Sequence, residues 1–333
     1  MKFYPDIPEK IDHLEHYSLR RPLSFAVEWM YLIGGRRFGK TYSIKSYILQ
    51  DFTKNGNRFA WIRTTDTALD RIRSEEQFFG RMQNLKALGV EEYAIKKDVI
   101  YINKEEAGYL FPVKTFYNIK GADYDVVNGV WDEFMRAKGE PNLPDKRRKF
   151  NDLVESVFRQ GKKRIFCISN STNQFDEVLQ PFNVTLRDFG TYLYRERNAL
   201  IHYIRSSKRH IENMEDSASG HAMTEAEKQF AFENKFTDFG DYGNMNKAVY
   251  LFSIQVDDDK FLSVYTNDGN MYIKAILPIN HILKSADNTY VNSKVKKLSP
   301  SEIKYLRLFH DRGRIIFADG YCRGMFQEAI CNR

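Results

Sequence analysis

Cysteine is scarce in this sequence: Cys167, Cys322 and Cys331 are the only three in 333 residues. An odd number without paired zinc-ligand spacing argues against a disulfide framework or a zinc module, and reads as reduced thiols. Long apolar runs are missing as well. No stretch approaches the roughly 20 apolar residues that span a bilayer. The opening "MKFYPDIPEK" has no apolar core that could serve as a signal peptide. The expectation is a soluble, intracellular protein with no membrane-spanning part. His13 and His16 have no other ligand types clustered beside them, so they read as surface histidines rather than half of a metal site. There is no internal repeat and no low-complexity tract, which argues against a solenoid or array.

What is present fits two domains with a connecting segment, since 333 residues is long for one compact core and 42% apolar content can fill both. A formal charge of +7 and a pI near 9.0 favour a polyanionic partner. Clustered Lys and Arg gain affinity by releasing counterions from a phosphate backbone, and DNA, RNA or membrane phosphates would each satisfy that argument.

From Trp29 to about Arg205 apolar runs alternate with helical patterns, as a sheet with crossover helices requires. The runs are "WMYLI", "RFAWIR", "VVNGVW", "RIFCIS" and "ALIHYI", and "EYAIKKDVIYIN" reads as a hairpin turning near Lys97 and Asp98. Residues 206–243 are polar and mostly helix-forming, broken by Ser-Ala-Ser-Gly, as linker material with a helix or two would be. Beyond them "VYLFSIQVDDDKFLSVYTNDGNMYIKAIL" reads as three antiparallel strands, and Ser299-Pro300 opens a helix. The expected domains are therefore 1–205, α/β with a mostly parallel sheet; 206–243, a helical linker; and 244–333, a small α+β unit.

"IGGRRFGKTYS" carries the sharpest signal. Gly34-Gly35-Arg36-Arg37-Phe38-Gly39-Lys40-Thr41 matches Gly-x-x-x-x-Gly-Lys-Ser/Thr, with a strand pattern before it and, from Tyr42 onward, a helical one after it. In such a turn Gly34 and Gly39 let the backbone curl around phosphate oxygens, Lys40 meets the β and γ phosphates, and the Thr41 hydroxyl ligates Mg²⁺. The bland alternative is a glycine-rich turn with an exposed lysine. The loop alone does not show hydrolysis, because kinases and simple binding modules carry it too.

A second signal is "VVNGVWDEF", an apolar strand ending in two acids. Asp132 fits the residue that holds a metal-bound water, and Glu133 fits the one that polarises the attacking water, which separates motor-type ATPases from kinases. The competing reading is a solvated loop start. Asn128 and Gly129 interrupt the apolar run. In "RRKFNDLVESVFRQGKKRIFCISNS" Phe150, Leu153, Val154, Val157 and Phe158 share a helical face, and "RIFCIS" would deliver Asn170 near the γ phosphate. On spacing alone, Arg159 reads as a cation complementing the negative end of that helix.

Taken in order, "IGGRRFGKTYS", "VWDEF", "VESVFR" and "RIFCISNS" resemble the genome-packaging ATPases, or encapsidation proteins, of small short-tailed phages of the salasvirus type. The likeness covers the first two-thirds well, including "FAWIR", and continues weakly to "FSIQVDDDKFLSVYTNDGNMYI". It implies an ASCE-type P-loop ATPase that uses ATP and Mg²⁺ and assembles as a homo-oligomeric ring, pentameric in that family, on the phage portal and a packaging RNA. Such a ring drives double-stranded DNA into a preformed capsid, in the host cytoplasm and transiently on the procapsid rather than in the mature virion. By the same resemblance Lys40 and Thr41 serve phosphate and Mg²⁺, Asp132 is the metal acid and Glu133 the catalytic base. Arg159 then becomes a finger acting on a neighbouring subunit's nucleotide, against the spacing-based reading. Lys120 in "NIKGADYD" matches a lysine acting across the subunit boundary, and Arg63 an arginine that contacts nucleotide or neighbour. Arg36 and Arg37 add positive charge to the loop.

Larger phage terminases end in an RNase H-like nuclease whose carboxylates converge on two metals. Here Asp257, Asp258 and Asp259 bunch in one turn, Asp268 falls in the next and Asp319 near a later helix start. These are turn positions first. The expectation is an RNase H-like fold without nuclease activity, docking nucleic acid through Lys294, Lys296 and Lys297; a solvated loop is the alternative for that basic run. A terminase-like ATPase with an active nuclease and a hexameric helicase or DNA-transfer ATPase are the rival readings.

Overall fold

The computed structural model of the chain describes residues 1–35, 37–80, 82–119, 124–135, 143, 145–158, 163–170, 176, 178–182, 184, 186, 188–224, 228, 232, 249–257, 260–267, 270–276, 295–296, 298–311, 315–317 and 320–331. Arg36, Lys120 and Arg159 lie outside that set, as do Asp258, Asp259, Asp268, Asp319, Lys294 and Lys297; Asp257 and Lys296 are described in backbone only. The chain divides into two compact units, 1–135 with 146–172 and 185–237, and 136–145 with 173–184 and 238–333.

The first unit is built on ten strands. They are β1 (Lys2–Pro5), β2 (Trp29–Ile33), β3 (Arg58–Arg63), β4 (Tyr93–Lys96), β5 (Val99–Ile102), β6 (Glu105–Pro112), β7 (Val126–Asp132), β8 (Arg164–Ser169), β9 (Gly190–Tyr194) and β10 (Ala199–Tyr203). Their order across the sheet is β1-β9-β10-β2-β8-β7-β3-β6-β5-β4. The six central strands from β10 to β6 are parallel, while β1 and β9 on one side and β5 and β4 on the other add antiparallel edges.

Burial follows from composition. Every residue of β2, β3 and β8 after the first is buried, as befits strands covered on both faces and written as near-continuous apolar runs. The edge strand β4 buries no residue fully. One face is covered by the helix Lys40–Asn55, which buries Ile44, Ile48, Leu49 and Phe52 into a core shared with Leu32, Phe59, Trp61, Val130 and Phe166. That helix ends at Gly56, whose φ of 69° only glycine adopts cheaply and whose N–H caps the Phe52 carbonyl at 2.8 Å.

Asn128 and Gly129, the two departures from the β7 pattern, each have a packing cause. Asn128 is buried, and its Nδ2 donates to Asp51 Oδ2 on the helix Lys40–Asn55 at 2.6 Å. A Cβ on Gly129 would lie 2.5 Å from Phe158 Cζ, so the glycine makes room for that ring.

The helix Lys208–Glu215 falls in the stretch read as linker, yet it is anchored to the first unit. Ser207 Oγ donates to the Leu14 carbonyl at 2.5 Å, and Arg209 N donates to the Asp12 carbonyl at 3.2 Å. The second unit holds β11 (Val249–Asp257), β12 (Lys260–Asn267), β13 (Asn270–Ile276), β14 (Val295–Lys296) and β15 (Ile315–Phe317), ordered β14-β11-β12-β13-β15. The central three are antiparallel, and each outer strand pairs parallel with its neighbour. Leu306 and Phe326, from the helices Pro300–Asp311 and Gly320–Phe326, share a core with Leu262, Val264, Ile273 and Phe317.

Candidate functional site

The carboxyl ends of four adjacent parallel strands, β2, β8, β7 and β3, converge on one place. After β2 the chain turns at Gly34, whose N–H donates to the Ser169 carbonyl at the end of β8 at 3.1 Å. Arg37 (φ 62°) and Gly39 (φ 84°) both take left-handed backbone, curling the loop before the helix begins at Lys40. Gly39 at the N-cap has no side chain to cap that helix, and its first residues, Lys40 and Thr41, line the cavity, as at an anion site. Lys40 is buried and folds back over the loop, its Nζ donating to the Gly34 and Gly35 carbonyls at 2.6 Å each.

The cavity has a volume of about 620 Å³, and Lys40, Thr41, Asp132, Glu133 and Asn170 line it together. Arg37, Phe38, Gly39 and Tyr42 border it too, whereas Gly34 and Gly35 sit buried behind it. Of the described residues that the sequence placed in a nucleotide site, Gly34, Gly35 and Arg63 are not part of the cavity lining. Arg36, Lys120 and Arg159 lie outside the described residues.

Arg63 occupies a place that the sequence left open between nucleotide and neighbour. From the end of β3 its Nη1 donates to Asp132 Oδ2 at 2.7 Å and its Nη2 to Glu133 Oε2 at 2.6 Å. One guanidinium fork therefore spans both acids. Burial pushes the Asp132 carboxyl above its ordinary pKa, and the Glu133 charge adds to that; Arg63 and Lys45 pull the other way without cancelling it. Glu133 itself has φ 58°, a left-handed conformation that costs a non-glycine residue about 1 kcal/mol. Its carboxylate is half exposed while that of Asp132 is largely covered.

The opposite wall was not legible in the sequence. Lys45, Gln77, Phe78 and Met82 also line the cavity, the last three from the segment after β3, together with Ile168 and Ser169 at the end of β8. Behind the loop lies a clamp from the amino-terminal segment. Tyr17 N donates to the Phe38 carbonyl at 2.7 Å, and Ser43 Oγ to the Tyr17 carbonyl at 2.5 Å. Burial, with the Asp6 charge, pushes the Tyr17 phenol well up, so it stays protonated, and its oxygen is hydrogen-bonded with His202 Nδ1 at 2.9 Å. His202 Nε2 lies 3.3 Å from Asp6 Oδ1, and Asp6 also accepts from Arg21 Nη1 at 3.1 Å and the Arg205 amide at 3.2 Å.

The arrangement defines a mixed α/β protein whose large, mostly parallel sheet gathers its polar groups where such sheets bind ligands, outside the carboxyl ends of the strands. The chain belongs to the Podovirus DNA encapsidation protein (Gp16) family, which matches residues 11–325. It is 27% identical to the DNA packaging proteins of Bacillus phage PZA and Bacillus phage phi29 over 171 residues, 50% of this chain and 50% of each relative. The match thus spans about half the length of those relatives. Among solved structures it is similar to the N-terminal domain of the DNA packaging ATPase from bacteriophage phi29, at 27% identity and a TM-score of 0.51, over 57% of this chain and 96% of that one. A chain of the bacteriophage phi29 viral genome packaging motor assembly aligns at 21% identity and a TM-score of 0.60, over 95% of this chain and 98% of that one. At that identity the second likeness is one of fold.

Proposed function

We propose that this chain is the ATP-hydrolysing subunit of a viral DNA-packaging motor, a P-loop ATPase that moves double-stranded DNA into a preformed capsid. The observation that carries the reading is the pair of acids at the end of β7, held by one arginine and facing the Gly34–Thr41 loop across a single cavity. A binding module has no use for the second acid. Membership of the encapsidation family and the likeness to a packaging ATPase domain support the same reading.

When bound, ATP with Mg²⁺ supplies the scissile phosphoanhydride and neutralises phosphate charge. The donors fit: a hydroxyl and a carboxylate, Thr41 and Asp132, line one cavity, and hard oxygens of this kind suit Mg²⁺ alongside phosphate oxygens and water. Lys40 would leave the loop carbonyls for the phosphates. Asn170 would register the terminal phosphate. Glu133 would orient the attacking water and accept its proton, which requires Arg63 to release it.

In this reading Arg159 and Lys120 act on a neighbouring subunit's nucleotide in a homo-oligomeric ring, a pentamer by family resemblance, seated on the portal and a packaging RNA. Loss of the charge they grip would loosen and reseat subunit faces and so advance the DNA. The net charge of +7 supports sequence-independent phosphate contact. The second unit is taken as an RNase H-like domain without nuclease activity, and the site of action as the host cytoplasm, on the procapsid.

The test is hydrolysis by purified full-length protein with and without double-stranded DNA. Stimulation by DNA, loss in Glu133→Gln with nucleotide binding kept, and partial recovery on mixing Arg159→Ala with Glu133→Gln are expected. A Glu133→Gln protein that still hydrolyses ATP at the wild-type rate would overturn the reading.

A further inference from the structure

We propose that Lys45 is a positioning residue of this site, a buried cation that opposes metal binding at Asp132 and links that event to the helix Glu75–Phe79. The inference rests on the reading above, in which Thr41 and Asp132 hold Mg²⁺.

Lys45 stands one helical turn beyond Thr41, at the i, i+4 spacing that puts two side chains on the same face. A lysine on a covering helix ordinarily extends its ammonium to water. This one turns inward: it is 8% exposed and lines the cavity that Asp132 and Glu133 also line. Its Nζ donates to the Phe78 carbonyl at 2.5 Å, 4.0 Å from the centre of the Phe78 ring and 5.1 Å from that of Trp61. Two aromatic faces and a carbonyl at the end of a short helix are good company for a cation. They hold the ammonium buried in the cavity that the two acids also line. Its charge also acts on the Asp132 carboxylate.

In the metal-free protein Lys45 and Arg63 together offset the two acids. A divalent cation arriving at Asp132 makes that balance positive, and a fixed ammonium in the same water-poor cavity then repels the ion. The ion binds more weakly than it would beside a neutral side chain, because the ammonium must withdraw as it arrives. Withdrawal breaks its bond to Phe78, in a segment that supplies Gln77 and Phe78 to the cavity wall. Through that withdrawal, occupancy of the acid is felt at that wall.

The experiment is a Mg²⁺ titration of ADP binding to the full-length protein, for wild type, Lys45→Met and Lys45→Arg. Removing the charge should lower the half-saturating Mg²⁺ concentration roughly three- to tenfold, and Lys45→Arg should restore it to within about twofold of wild type. A role in packing alone would not tighten metal binding or be rescued by charge. In wild type, amide exchange across residues 75–79 should rise on adding Mg²⁺ at saturating ADP. A folded Lys45→Met with unchanged or higher half-saturation overturns the proposal. Should that variant not fold, exchange over 75–79 that ignores Mg²⁺ in wild type overturns it equally. Wild-type ADP binding that does not depend on Mg²⁺ would instead remove the metal reading of Thr41 and Asp132, and this proposal with it.

Discussion

Arg63 holds Asp132 and Glu133 in a single fork, with nitrogen–oxygen distances of 2.7 and 2.6 Å. Three charges in a row are stable only while the central cation stays. Arg63→Gln leaves two adjacent carboxylates, one of them largely covered, and should lower stability by about 1–3 kcal/mol at pH 7. The exposed half of the cluster keeps the figure below that of a fully buried pair. The loss should shrink at pH 5. With the arginine gone the Asp132 pKa, already raised, climbs further, so a proton relieves the repulsion as pH falls. Urea unfolding at the two pH values checks both size and sign.

Glu133 offers a separate measurement, because its strain and its charge can be divided. Glu133→Gln and Glu133→Gly both remove the ion pair with Arg63, but only glycine is at ease at φ 58°. Glu133→Gly should therefore be the more stable of the two by about 1 kcal/mol, although in both the proposed hydrolysis is lost. Equal stabilities would mean that the left-handed turn costs nothing. In the proposed hydrolysis the backbone twist would aim the carboxylate.

The apolar strands β2, β3, β7, β8 and β10 were legible because strands buried on both faces must be written almost wholly in apolar residues. The β4–β5 hairpin showed through its alternation and turn. By contrast β6 begins with two exposed glutamates, β1 is four residues ending in proline, and β9, "GTYLY", is a five-residue segment that was not among the runs read as strands. Strand order is a non-local property. Nothing near Arg63 in sequence says that β3 will lie beside β7, so its grip on residues 69 and 70 positions away was out of reach. Asn128 looked like a blemish for the same reason: its partner, Asp51, stands 77 residues earlier. The loop at Gly34–Thr41 was legible because its chemistry is contiguous.

Gly129 tests how tightly β7 is packed behind the acids. A Cβ there would come within 2.5 Å of Phe158 Cζ, and Phe158 is itself buried and bridged to Val126. Gly129→Ala should cost about 1–3 kcal/mol by overpacking. Adding Phe158→Leu should return part of it, because a smaller side chain yields the space. In a double-mutant cycle by thermal unfolding the two changes would couple; strict additivity would show that the ring moves aside freely.

Asp6 sets the acid limit of the first unit. Its carboxylate is 1% exposed, and burial alone would raise its pKa. The hydrogen bond and charge of His202, the Arg205 amide and the Arg21 guanidinium outweigh burial, and the net shift is downward from the ordinary 3.8. A depressed folded pKa means that the unfolded chain binds the proton more readily. The stabilisation is therefore complete above about pH 4 and is lost as pH falls through the lower folded value. Asp6→Asn should cost about 2–4 kcal/mol at neutral pH, since it leaves Arg21 and His202 without their anion, and should flatten the fall in stability below pH 4. The same network reaches the loop through Tyr17, which bonds His202 by its hydroxyl and the Phe38 carbonyl by its amide. Loss of the anion should then appear as faster amide exchange at Tyr17 even where the unit remains folded. A variant whose acid limb keeps the wild-type slope would place the responsible carboxylate elsewhere.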